Sequence, residues 1–125
     1  MLGTFDLAAE IDRFQPGDGA SGRRAETLVK TDRLRLVLVT MRAGATLAEH
    51  TAPGPVTIQP VRGRFVVTAA AREDELGAGQ LIALAAGVHH TVRAIDGGAF
   101  LLTIAWPAPD HASPADDAPA TNPRD

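Results

Sequence analysis

The spacing of hydrophobic positions changes partway along the chain. Phe5, Leu7, Ala8, Ile11 and Phe14 recur at loosely helical intervals, which predicts a short amphipathic helix over residues 5–14. Pro16, Gly17, Gly19 and Gly22 break it. A helix this short has little stability of its own in water, so it should dock on something larger. From Glu26 onward the period shortens. Thr27, Leu28 and Val29 lead into residues 33–41, where Leu34, Leu36 and Leu38 alternate with Arg33, Arg35, Val37 and Val39. This reads as a long strand, ended by Gly44. Residues 56–62, 65–70, 80–84, 89–94 and 99–106 are all short and apolar or β-branched. Glycines or charges separate them at 62–63, 72–74, 77–79, 87 and 96–98. The alanines at 69–71 are too few to count as a helix. Short strands with closely spaced turns predict an all-β sandwich or barrel and not alternating βαβ units.

Past Trp106 the pattern stops. Residues 107–125 hold Pro107, Pro109, Pro114, Pro119 and Pro123 among Asp, Ala and Ser, and burial there cannot offset the cost of ordering. The expected organisation is a helix and linker over 1–24, a barrel over 25–106 and a mobile tail over 107–125. His111 belongs to that tail and should be solvated.

Composition narrows the function classes. The length of 125 residues suits one domain with one core. With no Tyr and a single Trp, that core must come from Val, Leu, Ile and Ala. The absence of Cys excludes disulfides and thiolate zinc sites. A net charge of −3, with no basic run longer than Arg23–Arg24, argues against a nucleic-acid partner. The first ten residues lack the basic-then-apolar order of a secretory leader. No apolar run nears the roughly 20 residues that span a bilayer. The expectation is a cytoplasmic protein without a membrane partner.

Two blocks of glycine and histidine carry the candidate chemistry. One runs from Gly44 through Glu49, His50, Ala52, Val56 and Gln59 to Gly63. The other runs from Gly79 through Leu84, Ala85 and Gly87 to His89 and His90. Their spacing resembles the cupin family, whose motifs read G-x5-H-x-H-x3,4-E-x6-G and G-x5-P-x-G-x2-H-x3-N. Gly44, His50 and Gly63 fall on the first motif, and Gly79, Gly87 and His90 on the second. The resemblance covers residues 33–106. It implies an all-β fold, a double-stranded β-helix or jelly-roll barrel, to which the short N-terminal helix read from the periodicity is added. Members that hold a divalent metal (Fe, Mn, Ni, Zn or Cu) do so with three His and one Glu inside the barrel. Here the second His position is Ala52, the Glu position is Val56, the Pro is Ala85 and the Asn is Ala94. Ala and Val donate no electron pair, so His50 and His90 are the remaining metal candidates. Strand alternation turns Glu49, His89 and Gln59 to the opposite face, leaving them as auxiliaries only if a bulge intervenes.

Two functions follow as expectations. In the first, the barrel mouth binds a small molecule between His50, His90, Val56, Ile58 and Leu84. In the second, a metal-dependent enzyme of dioxygenase, isomerase or decarboxylase type uses His50 and His90 as ligands, with Glu49 or His89 assisting. The alternation of Phe100, Leu102, Ile104 and Trp106 reads as core or dimer surface. The resemblance also implies a homodimer paired through sheet edges, with Thr27–Val29 as the candidate edge.

Overall fold

A computed structural model describes residues 1–106, apart from the side chain of His50. One helix, α1 (Leu7–Arg13), precedes nine strands. These are β1 (Arg23–Lys30), β2 (Leu34–Met41), β3 (Thr46–His50), β4 (Val56–Arg62), β5 (Phe65–Ala69), β6 (Arg72–Leu76), β7 (Ile82–Leu84), β8 (His90–Ala94) and β9 (Gly98–Ala105). They form two antiparallel sheets, one ordered β1-β2-β9-β4-β7 and the other β3-β8-β5-β6. The expected all-β jelly roll with a short N-terminal helix is the observed architecture.

The inner faces meet in a core of Val39, Met41, Val56, Ile58, Phe65, Val67, Val92, Ala94, Phe100 and Leu102. Two aromatics carry much of its volume: Phe65 and Phe100 meet edge to face, with centroids 5.3 Å apart. Phe65, Phe100 and Met41 thus join the Val, Leu, Ile and Ala that composition alone had assigned to the core.

The helix docks as expected. Asp6 caps it, its carboxylate accepting from the Ala9 amide at 3.2 Å. Ile11 is buried against Leu38 and Ala99 on the outside of the first sheet. Thr40 donates to the Phe14 carbonyl at 2.5 Å, and Arg62 reaches Asp12 at 3.0 Å. Because α1 covers one face and the core the other, residues 38–41 of β2 are buried on both sides. Fully burying an Ile side chain contributes about 1.5–3 kcal/mol.

Three local features depart from the sequence reading. Thr46–His50 is a strand, and Arg72–Leu76, whose charges suggested a turn at 72–74, is also a strand. The turn is instead Ala70–Ala71, which joins the Ala69↔Arg72 pair with φ values of 50° and 63°. Positive φ at both central residues is the mark of a type I′ hairpin. The first strand is also longer than expected, starting at Arg23 instead of near Thr27. The segment 107–125, expected to be a tail, lies outside the described residues.

Candidate functional site

Backbone contacts unite the two glycine-histidine blocks. β3 and β8 are antiparallel neighbours, and His50 and His90 are register partners across them. The register slips between Leu47 and His50, where three steps on β3 face two on β8. This bulge lets Ala48 and Glu49 both lie at the surface while Leu47 packs on the core. After β3 the chain turns through residues 51–55 into β4. The Ala52 carbonyl accepts from the Gly87 amide at 3.0 Å, and the Pro55 carbonyl from Ala105 at 3.0 Å. Gly87 has a φ of +78°, which an L side chain rarely adopts. That glycine therefore ties the loop before β8 to the loop after β3.

Between these loops and β9 lies a cavity of about 160 Å³, lined by Ala52, Val56, His90, Leu102, Ile104 and Trp106, with Thr51 and Pro53 at its rim. Its wall is almost entirely hydrocarbon. His90 is 2 % exposed, and its Nδ1 lies 3.0 Å from the Val88 carbonyl. A carbonyl only accepts, so Nδ1 carries the proton, and the ring is held by its own strand entry. Trp106 is fixed from outside, with the Arg35 guanidinium 4.3 Å from its ring centroid. Its amide donates to the Arg33 carbonyl at 2.7 Å.

The other expected site residues are dispersed. Ile58 is fully buried in the core and does not reach the cavity wall. Leu84, the register partner of Val56, lines a different groove with Leu81 and Ile82, of about 290 Å³. Gln59 alternates with the core-facing Val56, Ile58 and Pro60, and so lies on the outer face of β4. Pro60 does mark a bulge, since the β4–β9 register slips between Pro60 and Arg62. Glu49 and His89 face solvent and meet each other, Oε2 to Nδ1 at 3.4 Å. The sequence reading did not place Leu102, Ile104 and Trp106 in a ligand wall. Their even-numbered alternation on β9 was the signal, equally compatible with core.

A wider open groove of about 580 Å³ separates β1 from β3. Val37, Val39, Leu47 and Leu102 form its floor, and Arg23 and Glu49 stand at its rim.

Among the described residues, no three His, Cys, Asp or Glu side chains converge. Ala52 and Val56, which fall where the motif resemblance would put ligands, are hydrocarbon wall.

No family model and no curated protein matches the chain. Solved structures do. An RmlC-like cupin from Shewanella frigidimarina superposes with a TM-score of 0.67 at 21 % identity, covering 81 % of this chain and 91 % of that one. KdgF from a Halomonas species gives 0.65 at 19 %, covering 81 % and 95 %. The chain has the cupin fold. A third neighbour, salicylate 1,2-dioxygenase from Pseudoaminobacter salicylatoxidans, gives 0.65 at 21 % identity; the match covers 79 % of this chain but only 30 % of the dioxygenase. Identities this low establish the cupin barrel and carry no activity with it. No helix among the described residues is long and apolar enough to cross a membrane.

Proposed function

We propose that this cupin barrel binds a small, largely apolar molecule in the cavity walled by Val56, Leu102, Ile104 and Trp106, with His90 as the polar group that orients it. The observation carrying this reading is the lining itself: one buried imidazole set in hydrocarbon and backed by an indole. Ligand sites combine apolar walls with a few placed polar groups in this way. A volume of about 160 Å³ limits the ligand to a single ring or a short chain. Apolar cavities of roughly 150 Å³ take up benzene-sized guests. His50 is the backbone register partner of His90. The role is binding, with no chemical step assigned.

Thermal unfolding with a panel of small aromatics, organic acids and sugars tests this. Single-ring aromatics bearing one hydroxyl should raise Tm by several degrees at concentrations about 100-fold above Kd. Ala52→Leu, which fills the cavity from its half-buried edge, should abolish the shift while leaving the fold intact. A flat profile across the whole panel would overturn the reading.

The β1 edge supports a second copy of the chain as partner. β1 is eight residues long, ends its sheet and borders the open groove between Arg23 and Glu49. Opposite charges at the two rims suit a two-fold pairing. An uncovered edge of that length also invites uncontrolled association.

A further inference from the structure

We infer that this barrel keeps no resident divalent cation, and that Ala52 and Val56 are the side chains that prevent one. Three separate segments bring positions 52, 56 and 90 to one cavity: the loop after β3, the start of β4 and the start of β8. The space would admit an ion with water. The donors would not hold it. Val56 is 3 % exposed and presents methyl groups, Ala52 presents one methyl, and the remaining walls are Leu102, Ile104 and Trp106. His90 commits Nδ1 to the Val88 carbonyl, so at most one of its nitrogens can coordinate. Even with His50 counted, the motif positions hold only two residues of a type that donates to such an ion. Structural and catalytic sites for such ions use three or four. A cation would therefore lose hydration against hydrocarbon without replacement ligands.

The same geometry makes the exclusion reversible. Donors placed at 52 and 56 would face the His90 end of the cavity, giving a three- or four-ligand set. The double variant Ala52→His/Val56→Glu should acquire what the parent lacks.

Elemental analysis of protein purified without a metal-binding tag, after incubation with Fe, Mn, Ni, Zn or Cu and desalting, provides the measurement. The parent chain should retain less than about 0.1 equivalent, whereas a dedicated site fills close to stoichiometry. The double variant should approach one equivalent, and its Tm should rise on metal addition. Val56→Glu buries a carboxyl, so the double variant is expected to lose stability when metal-free. If it does not fold alone, circular dichroism should show folding on addition of zinc. Ala52→His alone, at the half-buried edge, should fold and hold zinc at least tenfold more tightly than the parent. Near-stoichiometric metal in the parent overturns the inference, and so does a folded variant no tighter than the parent. Aromatic binding by a metal-filled parent would overturn this inference alone. A metal-free parent that binds no aromatic would overturn only the ligand reading.

Discussion

Ala70 and Ala71 hold the β5–β6 hairpin in a conformation alanine disfavours. Both have positive φ, at 50° and 63°. For a residue with a Cβ the left-handed region costs about 1–2 kcal/mol, and Asn or Gly relieves much of it. Ala70→Asn/Ala71→Gly should therefore stabilise the protein by about 1–2 kcal/mol, seen as a rise in the midpoint of urea unfolding at unchanged slope. An unchanged or lowered midpoint would contradict that account of the turn. These alanines also hide the turn in the sequence. A type I′ turn is usually announced by Asn-Gly or Asp-Gly, and without that signal the neighbouring charges at 72–74 are the stronger turn pattern. The histidine spacings were more legible. Glycine and imidazole at fixed offsets placed His50 opposite His90. Glu49 and His89 do lie outside, but Glu49 does so through the bulge, which alternation alone does not foresee.

At the scale of elements, the long strands and the helix were readable because burial on one face leaves a regular period. β3 was not, since its bulge interrupts the alternation after Leu47. β6 was hidden for another reason: Arg72, Glu73, Asp74 and Glu75 blunt the free edge of its sheet, and a charged edge strand resembles a solvated turn. Where α1 meets β1, Phe14 lies between two guanidinium groups, Arg13 at 5.1 Å and Arg24 at 4.7 Å from its centroid. Beside them Glu26 has its Oε1 buried without a hydrogen-bond partner. Burial raises the Glu26 carboxyl above the ordinary glutamate range, and Glu10 raises it further through charge and a hydrogen bond, against the opposing pull of Arg13 and Arg24. The sign follows from linkage. A carboxyl whose folded pKa lies above its unfolded one supports the fold fully only below about pH 4, and that support fades as pH climbs through the folded value. Glu26→Gln should consequently stabilise the protein at pH 7 and change little at pH 4. Equal effects of the substitution at both pH values would rule out this ionisation as the cause.

For the whole molecule, the two sheets close over one core but leave a seam at each side. One lies between β1 and β3 and the other between β6 and β7. The β6 side is acidic and discourages self-pairing. The β1 side is longer and of mixed charge. Light scattering at tens of micromolar should accordingly give the mass of a dimer, and substituting Thr27 with Pro in the middle of β1 should shift it toward monomer. A clean monomer for the unaltered chain would refute the pairing. The barrel itself was legible from strand count and turn spacing. The cavity wall was not, because a strand facing a core and a strand facing a ligand share the same alternation. Only the position of the 51–55 loop, set by the Ala52–Gly87 hydrogen bond, separates Leu102, Ile104 and Trp106 from ordinary packing.

The chain's single Trp stands in that wall, and there is no Tyr anywhere in the sequence. Ultraviolet emission excited near the red edge of absorption therefore comes from one chromophore, beside the cavity proposed above as the binding site. The protein is equipped with its own optical reporter, so occupancy can be titrated on the unlabelled, unaltered molecule.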